Sequence, residues 1–207
     1  MLQIEKIVCG AYEENAYLVS LSDRDDQILI DPGDGYQALL RAMALSKKRL
    51  EAICLTHAHF DHILGAPALL ADSGADLYCH ALDMPYLNDV DLNLYNWDVS
   101  VLPPTEGLRA LSYPDLFEIA GLRLEVLHTP GHTPGGVCLY LPEEGVLFSG
   151  DTLFAAGFGR VDFPGSSSRE MRQSLRRLFT LPEETRVYPG HGESTTIGRE
   201  KARHHLL

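Results

Sequence analysis

The chain has 207 residues, 45% of them hydrophobic, with 17 basic against 29 acidic side chains and a net charge of −12 when histidine is neutral. That length suits one large or two small α/β domains, and the apolar share builds a sizeable core and excludes disorder. The acidic balance excludes a basic phosphate-gripping face and attachment to anionic membrane, so neither nucleic acid nor membrane is an expected partner.

The four cysteines (Cys9, Cys54, Cys79, Cys138) are scattered, with no C-x-x-C pair. This is the usage of a reducing compartment, and Cys54 and Cys138 read as small core residues. The start, Met-Leu-Gln-Ile-Glu-Lys, shows no signal-peptide pattern, and no apolar run approaches a membrane span. A soluble cytoplasmic protein is expected.

Residues 2–8 and 16–21 alternate in polarity and predict two strands joined by a polar turn over 11–15. Residues 27–30 predict a third strand. Asp34 is placed to cap the following helix, with Gln37 at the reciprocal position. Tyr36, Leu39, Leu40 and Met43 then fall on one helical stripe. Residues 52–55 predict a buried strand, 63–71 a helix with Pro67 awkwardly inside it, and 76–79 a short strand. Residues 83–113 have no clean period and predict a helix fragment and a long loop of the kind that forms a lid or pocket wall. Tyr95 and Trp97 would either line that pocket or pack the loop down. Residues 117–119 and 122–127 predict a hairpin turning at Ala120-Gly121, and 136–141 with 145–149 a second turning at Pro142-Glu143-Glu144. Ser167 and Glu170 form a capping-box pair ahead of a stripe at Met171, Leu175, Leu178 and Phe179. Residues 186–188 predict a strand and 197–205 a closing helix. No linker divides the chain, so residues 1–207 are expected to form one domain of the α/β class. The order of strands and helices repeats, which predicts a four-layer αβ/βα sandwich: two mixed β-sheets face to face, helices outside, the halves meeting at one edge.

Residues 56–62 read Thr-His-Ala-His-Phe-Asp-His directly after the strand at 52–55. Loops at strand ends are where α/β proteins keep their sites. His57 and His59 are two apart, so in extended backbone they project the same way and can grip one ion. Asp61 and His62 follow as the chain turns and can serve a second. Imidazole and carboxylate donors suit zinc, with iron or manganese as alternatives, rather than calcium or magnesium. A polar turn that merely happens to contain histidines is the weaker reading for four such groups in six residues.

Three further apolar runs end in glycine-containing turns that carry His132 (His128-Thr129-Pro130-Gly131-His132-Thr133-Pro134-Gly135), Asp151 (Ser149-Gly150-Asp151-Thr152) and His191 (Pro189-Gly190-His191-Gly192). Taken singly, each is explained as well by an ordinary turn. Their recurrence at strand ends alongside the first cluster points to a common site. Seven groups, His57, His59, Asp61, His62, His132, Asp151 and His191, suffice for two divalent metal ions. Asp151, apart from the cluster in sequence, is the natural bridging carboxylate. His80 and His128 are isolated and read as core or edge residues, and His204 and His205 as solvated positions on the last helix.

The succession H-x-H-x-D-H, T-P-G-H-T, G-D-T-L-F and P-G-H-G, in that order, resembles the metallo-β-lactamase fold superfamily from Leu29-Ile30-Asp31-Pro32-Gly33 to Gly192. The resemblance implies that His57, His59 and His132 hold one ion and Asp61, His62 and His191 the other. Asp151 would then bridge them and Asp31 stand behind them as an orienting group, while Asp61 is carried both as a ligand and as the catalytic carboxylate. Within the superfamily, Gly150-Asp151-Thr152-Leu153-Phe154-Ala155-Ala156-Gly157-Phe158-Gly159-Arg160 and Val161-Asp162-Phe163-Pro164-Gly165 are similar to the glyoxalase II group, especially its short bacterial members. Full-length glyoxalase II adds a helical C-terminal domain that helps hold glutathione, whereas this chain stops soon after Gly192.

The implied activity is hydrolysis of a small-molecule thioester (the hydroxyacylglutathione type) by water that two cations acidify. Arg160 is a candidate anchor for a substrate carboxylate through its forked donors, or alternatively a salt-bridge partner of Asp162. The principal rival is a persulfide dioxygenase, with one iron on His57, His59 and either Asp151 or His132. A secreted β-lactamase is disfavoured by the missing leader and by Asp151 where a metal-binding Cys is expected. The charge balance disfavours a nuclease, and His59 in place of Glu a diiron oxygen reductase. A storage or scaffold role would demand a closed site.

Overall fold

Strand after strand in this chain alternates between two apolar faces, and that double burial decides the architecture. The computed structural model describes residues 1–97, 107–114 and 116–204. The first sheet comprises β1 (Leu2–Cys9), β2 (Glu14–Leu21), β3 (Asp26–Ile30), β4 (Arg49–Cys54), β5 (Asp76–Cys79) and β6 (Leu111–Ser112), side by side in that order. β7 (Leu116–Ile119), β8 (Leu122–His128), β9 (Val137–Leu141), β10 (Val146–Gly150), β11 (Arg186–Pro189) and β12 (Thr195–Thr196) form the second, also in sequential order. Both are mixed: β3, β4, β5 and β6 run parallel in the first and β10 with β11 in the second, the other pairs being antiparallel.

Successive side chains on a strand point to opposite faces. Tyr17, Val19, Ile28, Ile30, Ala52 and Cys54 therefore face Leu122, Leu124, Val137, Leu139, Val146 and Phe148 across the space between the sheets. The intervening Leu18, Leu29 and Ile53 turn outward onto Leu39 and Ala42 of α1 (Tyr36–Ser46) and Leu69 of α3 (Ala66–Ser73). On the far side, Cys138, Tyr140 and Leu147 meet Met171, Leu175 and Leu178 of α4 (Ser168–Leu178) and Ile197 of α5 (Ile197–Arg203). The result is the expected four-layer sandwich. Phe148 is fully buried at its centre, packed on Tyr17 and Tyr188. Phe148→Ala is expected to cost about 3–5 kcal/mol in a denaturant titration.

Several local expectations need correction. Asp34 does not cap α1: the cap position is Gly35, with no side-chain bond, because residues 33–35 fold back against Cys9. The helix expected over 63–71 is two helices, α2 (Phe60–Ile63) and α3, and Pro67 lies in the first turn of α3, where its missing N–H costs nothing. β6 and β12, two residues each, carry no readable period. Residues 83–113 begin with a 3-10 turn (Met84–Leu87), contain a second (Tyr95–Trp97) and end in β6. The middle of the expected lid, residues 98–106, and the Trp97 side chain lie outside the described residues, as does His205. By contrast, the Ser167 hydroxyl accepts a bond from Glu170 N at 3.3 Å as the capping box requires. The turn at Ala120-Gly121 has positive φ at both residues (49° and 72°), the geometry that suits a tight hairpin. All four cysteines are buried thiols. No helix among the described residues is long and apolar enough to cross a membrane.

Candidate metal centre

Four strand ends on one rim of the sandwich converge. β4 stops at Cys54, and the chain runs through His57 and His59 before α2 carries Asp61 and His62. His132 sits in the loop from β8 to β9, Asp151 directly after β10, and His191 just past β11. Sheet-to-sheet hydrogen bonds hold these loops in register. Val137 N donates to Thr56 O at 2.8 Å, and Asn15 N donates to Gly190 O at 2.7 Å. Asn15 Nδ2 donates to Pro189 O and Gly192 O (3.0 and 2.9 Å), and the Tyr17 hydroxyl to Pro189 O at 2.6 Å. Gly190 permits a close approach: a Cβ there would collide with Asp151 Oδ1 and the His62 ring.

All seven residues come together. His57, His59 and His132 present one ligand atom each, all within 4.8 Å of one another, and Asp61, His62 and His191 do the same. Asp151 stands between the two sets. Its Oδ1 lies 3.4 Å from His62 Nε2, and its Oδ2 lies 3.4 Å from His132 Nε2 and 3.8 Å from His191 Nε2. His59 Nδ1 and His132 Nε2 are 2.9 Å apart. Two nitrogens on one tetrahedral zinc are separated by about 3.3 Å, so little movement would be needed to share an ion.

Asp31, His57 and His62 form a third close grouping. Asp31, however, is already engaged. It accepts from Thr56 N at 2.7 Å and from the Thr56 hydroxyl at 2.5 Å, and meets His62 Nδ1 at 3.1 Å. It therefore stands behind His62 and orients it. Backbone carbonyls do the same for two other rings: His132 Nδ1 donates to Arg160 O at 2.8 Å and His191 Nδ1 to Tyr12 O at 3.1 Å. Each of these bonds leaves Nε2 turned toward the cluster.

The donor set fits cations on independent grounds. His57 Nε2, His62 Nε2 and Asp151 Oδ1 are buried without a hydrogen-bond partner. A buried polar atom left unpaired costs about 1–3 kcal/mol. Several of them at one spot, beside a carboxylate, are what a metal satisfies. Burial, assisted by the neighbouring His132, drives the His59 pKa down to about 3, and burial also holds His57 well below its ordinary value. Both are therefore neutral ligands at neutral pH. Burial opposes charge on His62 too, but Asp61, Asp151 and Asp31 outweigh it and hold its pKa well above the usual range. Burial would raise Asp61 and Asp151, yet the imidazoles, His62 foremost, hold both below the ordinary carboxylate value. The cluster is most open at His191 and Asp61, whose side chains are 27% and 16% exposed, whereas that of His62 is fully buried. Aromatic rings rim it, with Phe163 5.6 Å from His59 and Phe154 6.2 Å from His191.

Three contributors went unread in the sequence. Glu14, placed in the polar turn by its composition, is fully buried at the start of β2 with neither carboxylate oxygen paired, 3.7 Å from His62 Nδ1. Asn15 clamps the His191 loop, and Asp83 lies beneath the His57–His59 segment. A lone polar residue in an irregular stretch gives no periodic signal, and only the residue alternation of β2 could have pointed inward at Glu14. The Arg160 guanidinium pairs with Asp162 at 2.9 and 2.7 Å and lies 4.2 Å over the Phe163 ring, which is the salt-bridge alternative. His80 and His128, expected to be isolated, stack on each other with centroids 4.3 Å apart, and neither belongs to a ligand set. His204 is half-buried against Phe179 rather than solvated.

A two-sheet αβ/βα sandwich whose strand ends gather five histidines and two aspartates into adjoining sets defines a metallohydrolase-type protein. The family model described as the metallo-beta-lactamase superfamily matches residues 9–191, and the chain belongs to that superfamily. It is 31% identical over 214 residues to the hydroxyacylglutathione hydrolase GloC of Haemophilus influenzae, covering 97% of this chain and 95% of that protein. Among solved structures it is similar to TTHA1623 in a di-iron-bound form, with a TM-score of 0.88 at 39% identity, covering 98% of this chain and 100% of that one. It is also similar to the BLEG-1 B3 metallo-beta-lactamase, with a TM-score of 0.90 at 34% identity and 97% of each chain covered.

Proposed function

We propose that the protein is a dinuclear metal-dependent hydrolase of small thioesters, of the hydroxyacylglutathione type. The observation that carries this reading is the pair of three-residue ligand sets with Asp151 in reach of both. The Haemophilus relative's name supports the thioester, whereas the Gly159-Arg160-Val161-Asp162-Phe163 segment is one that the persulfide dioxygenase rival shares. His57, His59 and His132 would hold one divalent ion, Asp61, His62 and His191 the second, and Asp151 both. Zinc suits the donors, with iron or manganese as alternatives. When bound, such ions supply a water acidified to a pKa near 7 and a Lewis acid for the carbonyl oxygen, a pKa of about 7 against 15.7 in bulk.

The chain's own residues do the rest. Asp61 faces the mouth beside His191 Nε2, at 3.3 Å, where it accepts a hydrogen bond from the attacking water and holds its proton. Asp31, Arg160 O and Tyr12 O keep three imidazoles in the ligating tautomer. Phe163 and Phe154 shield the reacting carbonyl from bulk water. The thiolate leaving group, with a conjugate-acid pKa of about 8.5, departs without a general acid. Since His62 is held protonated by its carboxylates, loading its set releases that proton, and uptake there strengthens as pH rises.

Elemental analysis with an assay on S-lactoylglutathione tests the reading. Two ions per chain and hydrolysis are expected. One iron per chain, with oxygen consumed on glutathione persulfide, would replace it with the dioxygenase. Arg160, whose guanidinium lies over the Phe163 ring, would exchange Asp162 for a substrate carboxylate. Arg160→Ala is expected to raise KM about tenfold for anionic thioesters, roughly one charge-assisted hydrogen bond, and to leave neutral ones unchanged. Equal effects on both remove Arg160 from substrate binding.

A further inference from the structure

Asp83 is fully buried at the turn that follows β5 and belongs to neither ligand set. Its carboxylate reaches two separate loops. Oδ2 accepts from the Thr133 hydroxyl at 2.7 Å and from Ala58 N at 3.3 Å, and Oδ1 accepts from Gly135 N at 2.6 Å. Ala58 is the residue between His57 and His59, and Thr133 follows His132. Thr133 is itself fully buried, and its carbonyl accepts from Gly131 N at 3.1 Å, which closes the His132 loop on itself. Gly135 is required for this approach, since a Cβ there would lie 2.5 Å from Asp83 Oδ1 and 2.6 Å from Asp83 N. One carboxylate thus joins the segment carrying two histidines of the first set to the loop carrying the third. These segments are more than 70 residues apart in the chain (His59 to His132), and no ligand of the second set touches Asp83 through these bonds.

We infer that Asp83 is the positioning residue of the first ligand set: by fixing the His57–His59 segment against the His132 loop, it holds three imidazoles ready for an ion and tunes that ion's affinity without touching it. The inference rests on the two-ion reading above. A carboxylate can accept all three bonds, whereas an asparagine must turn an N–H toward at least one donor. Asp83→Asn therefore keeps the volume and breaks the tie.

The test is a two-step zinc titration against a competing chelator, with the steps assigned by His57→Ala and His191→Ala. Asp83→Asn is expected to weaken the His57/His59/His132 step about 10–100-fold, the usual cost of losing an outer-shell partner, and to leave the other step nearly unchanged. Thr133→Val deletes only the hydroxyl that donates to Asp83 and is expected to give a smaller loss at the same step. It carries the test if Asp83→Asn does not fold. Thermal unfolding of the metal-free variants supplies the readout that a purely structural role would move. A lowered midpoint with both steps weakened equally, or with neither weakened, overturns the inference and leaves the two-ion reading standing. Wild-type protein that binds none of zinc, iron and manganese overturns both.

Discussion

His59→Ala is expected to lower thioester hydrolysis by on the order of 10³-fold or more, about 4 kcal/mol of transition-state stabilisation. His59 is 2% exposed, and its Nδ1 stands 2.9 Å from His132 Nε2. Among the described residues, His57 and His132 are the groups that complete its set. Its imidazole is neutral at working pH, with a pKa near 3, so the change removes a lone pair and not a charge. The effect should therefore appear as lost metal content, with the metal-free protein still folded. Elemental analysis of the purified variant beside its kcat and KM makes the check. A variant that is active with its full complement of metal would refute the ligand assignment.

Chelation is expected to produce the largest change in stability. A ligand that binds only the folded state contributes about 2.7 kcal/mol at one hundred times its dissociation constant, so two ions contribute roughly 5 kcal/mol. For a chain of 150–250 residues each kcal/mol moves Tm by about 2–4 °C, giving a fall of about 10–20 °C when the ions are stripped. The sign follows from the unpaired His57 Nε2, His62 Nε2 and Asp151 Oδ1, which return to a state of unmet burial. Differential scanning fluorimetry with and without chelator, and after zinc is restored, measures it. A Tm indifferent to chelator would mean that these atoms do not hold ions.

The expected strands were found wherever a run of apolar residues was long enough to show its period. Residues 27–30 and 52–55 could be read because burial on both faces leaves no polar interruption. β6 and β12 could not, since two residues have no period. At the start of α1, Asp34 and Gln37 match a local capping pattern, but the fold-back onto Cys9 that places Gly35 at the cap is a tertiary contact.

For the site, the sequence alone determined which side chains can ligate and that each follows a strand. Ligand chemistry belongs to a residue type, and strand ends are marked by apolar runs that stop at glycine. Only the tertiary structure decided that Asp31 addresses His62 through Nδ1 and that Glu14, Asn15 and Asp83 support the cluster from behind. Those three are single polar residues with no repeat around them, and their meaning comes from partners that only the packing of one sheet on the other brings within hydrogen-bonding distance.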